Sequence, residues 1–252
     1  MISYMISEGF AMNEIEKAKQ AIAEAKRIVF LGGAGVSTAS GIPDFRSPEG
    51  LFRTKQRYGV SYETLLSHTY FFEHPERFYE FYWQSMVYRD AKPNAAHIAL
   101  AEYEKRGGDI AILTQNIDGL HEMAGSKRVY NLHGSVYHYH CLDCGKAVEL
   151  QDIHRQNSVP HCECGGILKP DVVLYEEPLD ENTLFGAIMS LRRADVLIVG
   201  GTSLNVYPAA GLIYDFHGAK SILINREETP LDAWFDIVIH DDVGKVLTEI
   251  LR

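Results

Sequence analysis

The chain has 252 residues, 46% of them hydrophobic, an ordinary composition for a soluble protein with one large α/β domain plus insertions. Its formal charge of −10 is spread without a Lys/Arg-rich block, so no direct nucleic-acid binding is expected, while a positively charged peptide remains an acceptable partner. No apolar run approaches the roughly 18 to 20 residues that cross a bilayer, and Met1 to Met12 lack the basic and apolar regions of a secretory signal, so a cytoplasmic location away from membranes is expected.

Residues 1–12 show no clear periodicity. From Met12 the run MNEIEKAKQAIAEAKR is rich in helix formers, with Ile15, Ala18, Ile22 and Ala25 near helical spacing, and the working fold is expected to begin near Asn13. Five short runs are apolar on consecutive rather than alternate positions: Ile28 to Leu31, Ile110 to Leu113, Val196 to Val199, Ile222 to Ile224 and Ile237 to Ile239. Such runs suit strands of a parallel sheet covered on both faces. Helix-like segments at 94–106, 182–193 and 208–217 precede the second, third and fourth runs, and the alternation predicts βαβ units in a doubly wound sheet.

Two stretches interrupt the pattern. Residues 47–92 are aromatic-rich and mainly helix-like, and 136–169 carry all four cysteines with little helical pattern. Each follows a turn suited to ligand binding, so together they are expected to form a smaller domain facing the crevice at the sheet edge. The expected division is 13–46, 91–135 and 170–252 for the sheet domain, 47–90 for the helical insertion and 136–169 for the cysteine module.

Cys141 and Cys144 form a Cys-x-x-Cys pair and Cys162 and Cys164 a tighter Cys-x-Cys pair. Four thiolates gathered in this way can hold one Zn²⁺ tetrahedrally, with Gly145, Gly165 and Gly166 supplying tight turns. Two disulfides are the alternative, but without a secretion signal the chain is expected in a reducing compartment, which favours metal. Four sulfur ligands leave no open position, so the ion would be structural. His138, His140 and His161 lie close enough in sequence to replace a cysteine, but four thiols leave no need for them.

The run Gly32-Gly33-Ala34-Gly35-Val36-Ser37-Thr38 follows the first strand, and its small residues would let backbone amides approach a pyrophosphate at a helix N-terminus. It departs from Gly-x-Gly-x-x-Gly, because Thr38 stands where the third glycine would be, and a turn that serves only packing is the competing reading.

GAGVSTASGIPDFRSPEGLF closely resembles the first signature of the sirtuins, and three more segments follow in that family's order: TQNIDGLH at 114–121, LHGS at 132–135, and GTSL at 201–204 with VYPAA at 206–210. The matches span about residues 28–243. The resemblance implies a Rossmann-like doubly wound parallel sheet, with a smaller domain made of a helical insertion and a zinc-binding module. It implies NAD as co-substrate, one structural zinc, and acetylated lysine peptides or proteins as partners. Ala34, Gly35, Ser37 and Thr38 would line the pyrophosphate and adjoining ribose, with Thr202 and Ser203 on the other side; helix capping is the competing role for those two hydroxyls. Asn225 would meet the adenosine ribose, and Asp242 with Val243 would border the adenine. Phe45 and Arg46 would close over the bound dinucleotide. Gln115, Asn116, Ile117 and Asp118 end the second strand, where open α/β sheets bind ligands; Asn116 would reach a ribose hydroxyl or a water, and Asp118 with Ile117 the nicotinamide carboxamide. His133 would be the general base, since imidazole titrates near neutral pH.

The implied reaction is NAD-dependent deacetylation. The acetyl-lysine oxygen attacks the nicotinamide ribose as nicotinamide leaves, His133 takes a proton from the ribose diol, and water finally releases lysine and O-acetyl-ADP-ribose. Val172, Val173, Leu174 and Tyr175 align with the family's peptide-binding stretch, where an extended substrate pairs by its backbone, with Val172 and Val173 as the floor of an acyl-lysine tunnel. Many members have Phe-Gly-Glu where this chain has Tyr175-Glu176-Glu177. Members that take succinyl or malonyl groups carry Tyr with Arg three residues later, whereas here Tyr79 is followed by Tyr82 and Tyr82 by Ser85, so a neutral acyl group is expected. The rival readings are a mono-ADP-ribosyltransferase or NAD hydrolase, which open the same glycosidic bond, and a non-enzymatic NAD-sensing module.

Overall fold

The computed structural model describes residues 12–44, 56–153, 158–205 and 208–252. Phe45, Arg46 and residues 1–11 lie outside them. The first helix, Glu14–Glu24, starts where the sequence places it: the Asn13 side chain accepts from the Glu16 amide at 2.9 Å, satisfying one of the amides a helix start leaves without an intrahelical partner.

Six parallel strands form the main sheet: β1 (Ile28–Gly32), β2 (Ile110–Thr114), β3 (Val129–Asn131), β7 (Val196–Gly200), β8 (Lys220–Ile224) and β9 (Ile237–Ile239), in the order β3-β2-β1-β7-β8-β9. Each side chain of β1 has parallel neighbours on both sides, Phe30 opposite Ile112 and Ile198. Alternation sends Ile28 and Phe30 to one face, packed with the Glu14–Glu24, Ala95–Lys105 and Val243–Ile250 helices. Val29 and Leu31 face the other layer, against the Glu181–Arg193 helix and residues 209–215. Both faces are therefore dry, which is why the strands read as unbroken apolar runs.

β3 is not among the strands expected from apolar runs. It is a three-residue edge strand, half-buried throughout and containing Asn131, so it lacks the apolar run that marks its neighbours. The segment expected as a helix at 208–217 is a 3-10 helix, Ala209–Asp215, entered from Pro208 and carrying Gly211, two residues that disfavour a regular α-helix.

A second, three-stranded antiparallel sheet, β5-β4-β6, consists of β4 (Gly134–Cys141), β5 (Ala147–Glu149) and β6 (Leu168–Val172). It packs against three short helices, Tyr62–Leu65, His68–Glu73 and Pro75–Ser85, in one shared core. Trp83 stacks on Tyr139 with centroids 6.1 Å apart, and the Tyr79 hydroxyl donates to the Leu168 carbonyl. The two interruptions, far apart in sequence, thus bury each other's aromatic surface. β4 and β6 run across the expected junctions at 135/136 and 169/170, carrying the chain continuously between the two units. Among the described residues no helix is long and apolar enough to cross a membrane.

Candidate active site

β1 and β7 lie side by side, while the chain leaves β1 toward β2 and leaves β7 toward β8, so their carboxyl ends form the switch point where open α/β sheets bind ligands. The expected α-helix N-terminus after β1 is absent. Two 3-10 turns, Ala34–Val36 and Thr38–Ser40, take its place, because the segment is pinned sideways to the neighbouring loop by the Gly35 amide donating to the Gly201 carbonyl at 2.8 Å. A Cβ at Gly35 would fall 2.8 Å from the Gly201 Cα, closer than real Cβ atoms come, so this glycine permits the close approach.

One cavity at this edge is lined by Ala34 and Ser37, by Gln115 to Asp118, by His133 and by Val172 to Tyr175. The loops on its floor are held by a relay of hydrogen bonds. Asn116 Nδ2 donates to the Gly33 carbonyl at 3.1 Å and to Ser37 Oγ at 3.0 Å; Ser37 Oγ donates to Asp118 Oδ2 at 2.6 Å; Asp118 Oδ1 accepts from the Leu120 amide at 3.0 Å. The Ser37 side chain is thus committed to fixing the loops, so what it can offer a pyrophosphate is backbone. Burial raises the pKa of Asp118 above the ordinary carboxylate value, and the Ser37 and Leu120 hydrogen bonds oppose that shift.

His133 Nδ1 lies 2.9 Å from the Gln115 carbonyl. A carbonyl only accepts, so Nδ1 carries the proton and Nε2 the lone pair, the tautomer a base requires. The His133 carbonyl accepts from the Val173 amide at 3.0 Å, tying the imidazole to the expected peptide-binding stretch. Gly134 makes this possible: at φ 77 it opens β4 directly opposite Val172.

The other expected dinucleotide residues lie off this cavity. Thr38 is exposed and its hydroxyl donates to the Gly35 carbonyl at 3.0 Å. Thr202 Oγ1 accepts from Gln115 Nε2 at 3.4 Å and from the Leu204 amide at 3.2 Å, so Thr202 closes a turn and caps no helix. Ser203 is exposed beside it. Asn225 Nδ2 turns back to the Glu227 carbonyl at 2.8 Å. Asp242 caps the Val243–Ile250 helix, accepting from the Lys245 amide at 2.9 Å, and the Val243 side chain is in the core, so Val243 can meet a ligand only through its backbone.

Several lining residues escape sequence reasoning. Ser85, Met86 and Tyr88 enter from the end of the aromatic insertion, whereas Tyr79 and Tyr82, on which the acyl-group reading rests, are fully buried in the small core. Glu176 and Glu177 also line the cavity. Glu176 stands at φ 75, the left-handed backbone that glycine adopts freely, and its carboxylate accepts from the Thr69 amide at 2.9 Å and hydroxyl at 2.7 Å. Glu177 accepts from the buried Lys169 ammonium at 3.1 Å and the Leu174 amide at 3.0 Å. In the sequence Glu176 and Glu177 are marked only by standing where many family members have Gly-Glu, and Glu176 keeps the left-handed backbone such a glycine would take.

The four cysteine Sγ atoms lie within 4.8 Å of one another. The Cys141–Cys164 and Cys144–Cys162 separations are 3.4 and 3.7 Å, far beyond a disulfide bond and close to the roughly 3.8 Å between sulfurs set by tetrahedral Zn–S bonds of about 2.3 Å. The donor set therefore fits zinc. Neighbouring histidines are engaged elsewhere: His138 with Glu149, His140 with Asp171 and His161 with the Val159 carbonyl.

A family model described as the Sir2 family matches residues 33–208. This chain belongs to the Sir2 family. Proteins named NAD-dependent protein deacetylase from Clostridium acetobutylicum and Clostridium perfringens are 53% and 54% identical to it, over 95% of this chain and 99% of each relative. A solved Sir2–p53 peptide–NAD+ complex superposes with TM-score 0.81 at 36% identity, covering 94% of this chain and 97% of that one. A Sir2 complex with deacetylated p53 peptide and 3'-O-acetyl ADP-ribose gives TM-score 0.84 at 36% identity, covering 95% and 98%. In this Sir2 chain the cavity lining contains no Lys or Arg among the described residues, and four carboxylates, Asp44, Asp118, Glu176 and Glu177.

Proposed function

We propose that the chain is an NAD-dependent protein-lysine deacetylase that converts acetyl-lysine, NAD and water to lysine, nicotinamide and O-acetyl-ADP-ribose. The observation that carries this reading is the convergence of His133, Asn116 and Asp118 on one cavity, with His133 in the tautomer that leaves Nε2 basic. In this reading Asp118 and Ile117 meet the nicotinamide carboxamide, and Asn116 orients the ribose. The acetyl oxygen of the lysine bonds the anomeric carbon as nicotinamide leaves, His133 takes a proton from the ribose diol, the ribose oxygen so deprotonated adds to the imidate carbon, and water completes the release of lysine and O-acetyl-ADP-ribose. The pyrophosphate lies against the Ala34, Gly35, Ser37 and Thr38 backbone and the Thr202–Ser203 turn. The adenosine extends toward Asn225, Asp242 and Val243, and Phe45 with Arg46 covers the reacting end.

The acetylated peptide lies extended along Val172, Val173, Leu174 and Tyr175, a mode that reads backbone more than side chains. A cavity lining without Lys or Arg among the described residues offers no cation to neutralise an acidic acyl group and suits a neutral one. Cys141, Cys144, Cys162 and Cys164 hold one zinc, which supplies folding energy to the small unit and no chemistry. We propose the same division as the sequence suggests, residues 13–46, 91–135 and 170–252 around the sheet and 47–90 with 136–169 in the smaller unit, and a cytoplasmic location with no nucleic-acid or membrane partner.

Mass spectrometry of products from NAD and a panel of acylated peptides tests the reading. O-Acetyl-ADP-ribose formed mole for mole with free lysine, and its loss in His133→Ala, is the expected result. ADP-ribosylated protein, free ADP-ribose without deacetylation, or tight NAD binding without turnover would each overturn it.

A further inference from the structure

A buried cation behind the cavity takes no part in the proposed chemistry. Lys169, on β6, is only 7% exposed, and its ammonium donates to Glu177 Oε2 at 3.1 Å, to the Val172 carbonyl at 3.3 Å and to the Pro170 carbonyl at 3.4 Å. An ammonium has three donors, so each finds an acceptor. Glu177 also accepts from the Leu174 amide at 3.0 Å, and its other oxygen lies 2.9 Å from His68 Nδ1. Burial pushes the Glu177 carboxyl up, but its hydrogen bonds with His68 and Leu174 and the Lys169 charge outweigh burial and hold it below the ordinary glutamate value. The contact is therefore an ion pair near neutral pH.

A buried ion pair is weak support for stability, since apolar side chains of similar volume often serve as well. What this pair supplies that apolar side chains could not is hydrogen bonding to backbone. The pairing of β6 with β4 ends at Val172 opposite Gly134; beyond it the chain leaves the sheet, and its backbone groups need other partners. The Val173 amide finds the His133 carbonyl and the Tyr175 amide the Leu66 carbonyl. The Val172 carbonyl and the Leu174 amide, on either side of Val173, are served by Lys169 and Glu177. Lys169 does not line the cavity, so whatever it does for a substrate passes through this stretch.

We propose that Lys169 and Glu177 act together as a buried ionic clamp that holds Val172 to Leu174 in the extended form with which an acetylated peptide pairs. Both are positioning residues that act through the backbone of that stretch, and their effect on the peptide rests on the reading of the stretch as the peptide site.

The test uses the full zinc-loaded chain with Lys169→Met, Glu177→Leu and the double variant. Each single change leaves one charge and one backbone group without a partner, and is expected to lower the thermal midpoint and raise KM for acetylated peptide about tenfold, with KM for NAD within about twofold. The double variant leaves no charge unpaired, so its midpoint is expected to rise above both singles. Its peptide KM should nevertheless stay raised about tenfold, because the Val172 carbonyl and Leu174 amide still lack their partners. A peptide KM that recovers together with the midpoint, or KM values for NAD and peptide that rise together, would overturn the proposal. Should the variants fail to fold, the parent chain decides: a Lys169 ammonium signal in slow exchange in ¹H–¹⁵N spectra and a Leu174 amide protected from hydrogen exchange are expected, and fast exchange at either overturns the clamp. Both signals in a parent that forms no O-acetyl-ADP-ribose would instead leave the clamp standing and remove the deacetylase reading.

Discussion

Gly134→Ala probes the joint between the imidazole and the peptide-binding stretch. Gly134 sits at φ 77, and a Cβ there would press into the Asp171 carbonyl oxygen, well inside the 3.0 Å that real Cβ atoms keep. Two costs follow. Left-handed backbone in a non-glycine residue costs about 1–2 kcal/mol, and opening β4 from β6 to admit the methyl group adds about 1–3 kcal/mol in the manner of an overpacked core. The expected loss is thus about 2–5 kcal/mol against a typical total stability of about 5–15 kcal/mol. The carbonyl of His133 bonds the Val173 amide one residue away, so the same opening shifts the base, and kcat/KM for acetylated peptide should fall more than about tenfold. Guanidinium titration with an unchanged slope measures the first effect, and a coupled deacetylation assay the second. Gly107→Ala is the control: its φ is 98 but nothing lies within 4 Å of the added Cβ, so only the backbone cost applies. If Gly134→Ala costs no more stability than Gly107→Ala and leaves turnover intact, the steric reasoning is wrong.

Burial raises the pKa of Asp118 above 3.8, so its ionised form is less favourable in the fold than in water. Asp118→Asn should therefore hold or raise the thermal midpoint at pH 7, with the difference shrinking as pH falls through the raised folded-state pKa toward 3.8 and vanishing below it, while deacetylation drops at least about tenfold; a stability loss at pH 7 that accounts for the lost activity would refute this. Thr69→Val removes one of the two hydrogen bonds that hold Glu176 at its positive φ, and it should cost about 1 kcal/mol by urea titration and raise KM for peptide but not for NAD. Metal analysis should find about one zinc per chain, and a strong chelator should change the fluorescence of Trp83, which shares a core with Cys141 and Cys162; intact fluorescence after complete metal loss would remove the structural role.

The features legible in the sequence are those whose cause is local. A strand dry on both faces must be apolar at every position, so five of the six main strands stand out, and the first helix and the glycine turn announce themselves by helix-forming residues at helical spacing and by the absence of side chains. Cysteine pairs two or three residues apart similarly announce a shared ligand. What the sequence leaves open arises from contacts between distant segments. β3 is a strand because β2 offers it an edge, and the turn after β1 is 3-10 because Gly201 pulls Gly35 sideways. The Ser37 hydroxyl is taken by Asp118, 81 residues away, and the rings of His97 and His121 meet only because their helices pack together. Such pairings depend on where tertiary packing delivers each side chain, and neither periodicity nor spacing along the chain carries that information.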